Sequence, residues 1–181
     1  MTFLTTNYSA LSENDYSPMP EGNYEMVIQR LEKKTTKNGK EALTFWLVVR
    51  NDLTKVPELA ETNGKYPNRY VFDDHWKRNV NGNYQLDANN LMYILKAAGI
   101  PEGTNFTSFE DLQQIMTGKP VRVYVKKEYD DFNQQDTNTV APWNYSVTQF
   151  PQVNHQWKSE EKTDPFPTND APTITDADVP F

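Results

Sequence analysis

The chain has 181 residues, a formal net charge of -7 and no cysteine. That length suits one compact domain with appendages, and the lack of cysteine excludes disulfide scaffolds, cysteine-ligated zinc and thiol catalysis. A mean hydropathy of -0.82 is low for a chain that folds along its whole length, so part of it is expected to lie outside any packed core. The first residues lack a basic n-region and an apolar h-region, and no apolar run approaches the roughly 20 residues of a membrane span; neither a secretory signal nor a membrane segment is expected.

The negative charge is unevenly placed. From Lys158 onward there are six acids and two bases, and no base offsets Glu13 and Asp15 before Glu21. Between Glu21 and Tyr129, 16 bases stand against 14 acids. The body is thus mildly basic and the ends acidic, so the overall charge says little about the surface of the body.

Residues 1–20 read as an N-terminal arm, closed by Pro18-Met19-Pro20. The body, 21–157, starts at the turn signal Glu21-Gly22-Asn23. Tyr24 to Leu31 alternates Tyr24, Met26 and Ile28 against Glu25, Val27 and Gln29, which is strand period. Lys33 to Lys40 reads as a basic hairpin tip closed by Asn38-Gly39. A second strand is expected over Ala42–Arg50, rich in β-branched and aromatic residues. Pro57–Pro67 reads as a polar loop, and a third strand spans about Arg69 to Trp76. Asp87 opens a helix with Leu91, Ile94, Leu95 and Ala98 on one face, ended by Gly99 and Pro101. A short second helix begins at Ser108, with Asp111 three residues on as an Asp variant of the capping box, and stops at Gly118. A fourth strand covers Val121–Tyr129, a polar loop Asp130–Asn138, and a fifth strand Trp143–Phe150. Residues 158–181, interrupted by Pro165, Pro167, Pro172 and Pro180, read as a disordered acidic tail.

Mainly β structure is therefore expected, with five strands and the main helix between the third and fourth. That order matches an OB-fold-like barrel, a partly open Greek-key architecture that often binds oligonucleotides. A ferredoxin-like sandwich would need a helix between the first two strands, and Asn38-Gly39 leaves no room for one.

For catalysis the sequence offers little. His75 and His155 are far apart in sequence, and the glycines form no phosphate loop. Asp73-Asp74-His75 is the only cluster that could suggest a metal-dependent nuclease. Adjacent strand residues point to opposite faces, so Asp73 and Asp74 would not share a metal inside a strand. A polar strand end is the preferred reading, and no catalytic residue, metal or cofactor is expected.

Binding of unpaired nucleic acid is better supported. Single-strand binders combine a basic groove with aromatic faces on which bases stack. In the second strand, Leu43, Phe45, Leu47 and Val49 form an apolar face, which leaves Trp46 and Arg50 on the other. The fourth strand repeats this arrangement, with Arg122, Tyr124 and Lys126 opposite the valines. The third strand and its exit add Arg69, Tyr70, Phe72, Trp76, Lys77 and Arg78, although either face of that strand could be the core. The hairpin tip adds Lys33, Lys34, Lys37 and Lys40, placed to meet phosphates. Each ring has core or edge packing as its alternative role.

The C-terminal tip carries a different chemistry. Asp176 and Asp178 precede Val179-Pro180-Phe181, so a ring and a terminal carboxylate arrive together behind a stiff proline. Such a peptide can insert its ring into an apolar pocket while a basic rim holds the carboxylates. These last six residues resemble the Asp-rich Ile-Pro-Phe tip of bacterial single-stranded DNA-binding proteins, with Val179 in the aliphatic place and Ala177 replacing an acid. The body resembles a phage-encoded family of single-stranded DNA-binding proteins found among replication and recombination genes. The matching stretches are Pro20-Glu21-Gly22-Asn23-Tyr24-Glu25, Lys34 to Glu41, Val71-Phe72-Asp73-Asp74 with Trp76, Leu95-Lys96-Ala97-Ala98-Gly99-Ile100-Pro101, and Gly118-Lys119-Pro120-Val121. The resemblance implies a non-enzymatic protein of the host-cell cytoplasm. It would coat single-stranded DNA and recruit replication or recombination proteins through its tip. Oligomeric state stays open at this stage, and a homo-oligomer is compatible with it. The competing expectation is a protein–protein adaptor on the same scaffold that ignores DNA.

Overall fold

The computed structural model describes residues 17–158. In chain order it contains β1 (Gly22–Thr35), β2 (Glu41–Val49), β3 (Tyr70–Trp76), β4 (Arg78–Val80), β5 (Asn83–Gln85), α1 (Ala88–Ala97), α2 (Phe109–Met116), β6 (Pro120–Asp130), β7 (Gln135–Thr139) and β8 (Tyr145–Ser146). The main sheet runs β3-β2-β1-β6-β7, with β8 also on β6, while β4 and β5 form a separate hairpin. Every pairing is antiparallel. The architecture is mainly β with two α-helices, and the sheet does not close into a barrel. Its end strands β3 and β7 face each other across a groove lined by Arg69, Tyr70, Phe72, Gln135 and Thr137.

One face of the sheet forms the core. Tyr24, Met26 and Ile28 of β1 meet Leu43, Phe45, Leu47 and Val49 of β2, Val71 of β3, and Val121, Val123 and Val125 of β6. This is the alternation expected from the sequence, since a period of two puts every second side chain inside. The register of β1 against β2 shifts between Ile28 and Arg30. The extra residue lets Leu31 return to the core while the strand bends. Both helices cap the core through one apolar edge, by way of Ile94 and Ala97 in α1 and Met116 in α2. Asp87 and Ser108 are the N-caps, accepting from the Asn90 and Asp111 amides. The Asp111 carboxylate reaches back to the Thr107 amide, one residue outside the usual capping-box partner. No helix among the described residues is long and apolar enough to cross a membrane.

Three local expectations are corrected. The polar stretch 130–138 is largely strand: β7 pairs Gln135–Thr139 with Asp130–Lys126. It buries no apolar side chain and so lacks the hydrophobic alternation by which strands are read. The fifth strand is reduced to Tyr145–Ser146, because Pro142 starts a 3-10 turn over Pro142–Asn144. Beyond Ser146 the chain leaves the ladder. Finally, β4 and β5 form a hairpin that was not expected, around Asn81-Gly82 with φ of 52° and 87°. Asn-Gly with both angles positive is the type I′ hairpin signal.

Residues 147–158 then form a strap across the outer face of β1 and β2. The Glu25 carboxylate accepts from the Thr148 hydroxyl and the Gln149 amide. Asn51 exchanges hydrogen bonds with the Gln156 backbone, and the Asn154 amide donates to Asp52. On the same outer face, Val27 and Val48 are buried. At the other end of the described chain, Met19 is fully buried and clamped by the Asn138 side chain, so 17–20 pack with the body rather than with the arm.

Candidate functional site

The outer face of β2 and β3, beside the strap, carries an aromatic cluster. Antiparallel pairing sets Trp46 opposite Phe72, and Tyr70 lies two residues along the same face of β3. Val71, Asp73 and His75 point inward, which settles the face that the sequence left open. The Tyr70 and Phe72 rings lie 6.0 Å apart and nearly parallel, at 11°. Trp46 abuts Phe72 edge-on at 4.8 Å and Tyr70 at 6.3 Å. The Arg30 guanidinium covers Trp46 at 3.6 Å from the ring centroid. Phe72 remains 53% exposed and Tyr70 43%. Trp46 is therefore the half-buried backing of the cluster, and Tyr70 and Phe72 offer the open ring faces. Sequence reasoning missed Arg30. Its signal was the β1–β2 register, which places Arg30 directly across from Trp46.

The cations are distributed unequally around these rings. Lys34 donates to Asp74 at 2.8 Å and lies 5.5 Å from the Trp76 ring, at the far end of the same β3 face. Arg69 donates to the Ser17 carbonyl at 2.5 Å. Lys37 and Lys40 are exposed on the β1–β2 turn, a turn from Thr36 to Gly39 with Gly39 in the left-handed region at φ 76°. Lys33 points the other way, 4.4 Å over the Phe109 ring of α2. Lys77 is engaged by Glu41, and Arg78 stands on β4, exposed.

Arg50 is a correction. It was expected on a DNA-facing surface, but its side chain is 0% exposed. Its Nε and Nη2 donate to the two Asp52 carboxylate oxygens at 3.1 and 2.6 Å, while Nη1 and Nη2 donate to the Phe150 and Gln152 carbonyls. Arg50 anchors the strap. Burial works to raise the Asp52 pKa, but the bonds from Arg50 and the Asn154 amide prevail and hold it below the usual carboxylate value. Burial, with repulsion from Arg50, also lowers the His155 pKa against the pull of Asp52. That matches its role, since Nδ1 accepts the Asn51 amide at 3.2 Å.

Arg122, Tyr124 and Lys126 do face outward from β6, half-buried. They are not brought to the first cluster. Tyr124 pairs with Asn23 and Trp46 with Arg30 on β1, seven residues apart. At about 3.3 Å per residue that is roughly 20 Å along the sheet.

The Asp73-Asp74-His75 cluster divides as strand geometry requires. Asp73 and His75 are buried, and both His75 Nε2 and the Tyr145 hydroxyl donate to Asp73 Oδ2, at 2.8 and 2.6 Å. Burial, followed by the negative charge of Asp73, raises the Tyr145 pKa well above its ordinary value. Asp74 faces outward to Thr44 and Lys34. Among the described residues no group of three or more histidines and carboxylates could hold a metal ion. The partner-binding tip, Asp176, Asp178, Val179, Pro180 and Phe181, lies outside the described residues, as do the rest of the acidic tail from 159 and the arm up to residue 16.

No curated protein matches this sequence. A family model does match it over residues 4–165, nearly the whole chain, and the chain belongs to that family, described as "Protein of unknown function (DUF669)".

Proposed function

We propose that the protein binds single-stranded DNA on the outer face of β2 and β3, on an OB-like scaffold, and acts without catalysis in phage DNA replication or recombination. The observation that carries the reading is the Tyr70–Phe72 pair: two open, parallel rings, held edge-on by Trp46 and flanked by Arg30 and Lys34. Rings fixed in this way offer bases a sequence-tolerant stacking surface, and each base stack is worth about 1–3 kcal/mol. The strand order also supports an OB-like scaffold opened between β3 and β7. The OB-fold binds oligonucleotides on its second and third strands, where the rings are found here. The C-terminal tip would recruit replication or recombination proteins in the cytoplasm of the host, a role supported by Asp176, Asp178 and Val179-Pro180-Phe181.

Fluorescence titration with oligo-dT tests this directly. Trp46 emission should be quenched, and affinity should fall steeply with salt, as phosphate contacts require. Phe72→Ala and Tyr70→Ala should each weaken binding by about one stack. If the protein ignores oligo-dT at low salt but keeps partners that depend on Phe181, it is an adaptor and this reading is wrong.

A further inference from the structure

A second aromatic site lies past the end of β3. The outer-face positions of β3 run Tyr70, Phe72, Asp74, Trp76, so the row from Tyr70 to Trp76 spans roughly 20 Å. At its end opens a cleft of about 950 Å³, lined by Trp76, Tyr84, Phe132, Asn38, Lys40 and Lys77 among others. It joins three separate parts of the chain: the β1–β2 turn, the β4–β5 hairpin and the β6–β7 turn. Its volume falls at the upper end of small-ligand sites.

The rings in the cleft are displayed rather than packed. Phe132 is 93% exposed and Tyr84 is 68% exposed. An apolar ring at a loop tip gains nothing from burial there, yet the backbone that carries this one is fixed. The Asp130 carboxylate accepts from the Phe132 amide at 2.9 Å and from the Asn133 side chain at 2.6 Å, which fixes the turn. The β4–β5 hairpin is similar. All six of its strand residues are exposed, so it adds nothing to the core. Its order comes from the Asn81-Gly82 turn and from the Asn79 side chain, which accepts from the Gly82 amide at 2.9 Å. A lone two-stranded hairpin is marginal in water, and what this one does is raise Tyr84 as a wall beside Trp76.

We infer that the Trp76–Tyr84–Phe132 cleft takes an unpaired base of the same DNA strand that lies on Tyr70 and Phe72, with Lys40 beside its phosphate. The inference rests on the proposed single-strand reading and extends the bound path past β3 by way of the inserted hairpin. Two observations select a nucleic acid as the occupant: the cleft continues the aromatic row of β3, and its rim holds Lys40 beside a Lys77–Glu41 ion pair, a net positive charge.

The test uses the full chain and oligo-dT of about 20 nucleotides, long enough for the site sizes of such folds. Tyr84→Ala and Phe132→Ala should each reduce affinity roughly 5- to 150-fold, the equivalent of one lost stack. Tyr84→Phe should bind like the parent and Tyr84→Leu like the alanine variant, because a π face is required and not mere apolarity. Oligo-dT carrying 5-iodouracil should crosslink under ultraviolet light to Tyr84 or Phe132. If the parent binds, Phe72→Ala weakens it, and the Tyr84 and Phe132 variants match the parent without crosslinks, the cleft is not part of the path and this inference fails alone. If those two variants instead abolish a self-association of the chain at unchanged DNA affinity, the cleft is an interface between copies and the inference also fails. If the parent binds no oligo-dT, the proposed function itself fails.

Discussion

Arg50→Ala separates two roles that the sequence could not distinguish. As a phosphate contact, Arg50 would leave stability untouched when removed and would weaken DNA binding. The structure gives it a different role. Its side chain is fully buried, it holds a carboxylate whose own side chain is only 8% exposed, and it donates to two carbonyls of the strap. Removing one partner of a buried pair costs about 3–5 kcal/mol, because the remaining charge stays desolvated. The chain has one escape, since the strap can lift and let water reach Asp52. The global loss is then capped at the free energy with which residues 147–158 dock. Urea unfolding should therefore show an unfolding free energy lowered by up to that amount, and amide exchange at 149–156 should accelerate even where the midpoint moves little. The Asp52 pKa should rise as its main hydrogen-bond donor is lost. Arg50→Ala combined with Asp52→Ala should be less damaging than Arg50→Ala alone, because no buried charge is left unpaired. An unchanged midpoint and unchanged exchange, together with lost oligo-dT affinity, would refute the anchoring role and restore the DNA-contact reading.

The remaining predictions concern the strap, the core and one loop. The folded-state pKa of His155 is depressed, so its contribution to stability is present above the unfolded value of about 6.5 and is lost as pH falls through the folded value. The protection of the Asn51 amide, its exchange measured against the intrinsic rate at each pH, should fall between about pH 7 and pH 5; His155→Gln should flatten that dependence, and an equal slope in the variant would remove His155 from the cause. Tyr145→Phe deletes one donor to Asp73 and should cost about 1 kcal/mol by urea unfolding; no change would mean that the hydroxyl bond contributes nothing net. Gly64→Ala should destabilise by about 1–3 kcal/mol, since a Cβ there would stand 2.6 Å from the Ala60 carbonyl oxygen, which is backbone and cannot swing aside. A variant as stable as the parent would show that the 60–64 loop can shift freely.

What the sequence made legible follows from period and punctuation. The core faces of β1, β2 and β6 were readable because every second residue is apolar over Tyr24–Ile28, Leu43–Val49 and Val121–Val125, and both helix starts were readable from Asp87 and Ser108. Strand β7 was not, because Gln135-Asp136-Thr137-Asn138-Thr139 is polar throughout and has no apolar face to betray it. The β4–β5 hairpin was readable in principle, since Asn81-Gly82 is as strong a signal as Asn38-Gly39, but the three-residue strands around it are short and exposed. Within the site, Trp46 was assigned to the outer face by its neighbours. Tyr70 and Phe72 could not be, because β3 reads polar on both sides: Asp73 and His75 satisfy each other inside. Arg50 misled for a different reason. Its position in the strand alternation correctly pointed it outward, and nothing in local sequence indicated that a segment 100 residues later would cover that face.

That separation bears on how the chain acquires its structure. The bonds that fix the strap join residues 100 to 124 positions apart, from Glu25, Arg50, Asn51 and Asp52 to Thr148 through Gln156. Contacts so distant in sequence are slow to form, because loop closure must precede any gain from them. On the ribosome, β1, β2 and β3 are made well before residue 147, and during that interval Glu25 and Arg50 face water as ordinary solvated charges. Those charges keep the waiting sheet from presenting a wholly apolar outer surface to other nascent chains. A nascent chain halted before residue 147 is therefore expected to have a less stable sheet whose outer face uncovers Val27 and Val48 but keeps Glu25 and Arg50 as solvated charges among them.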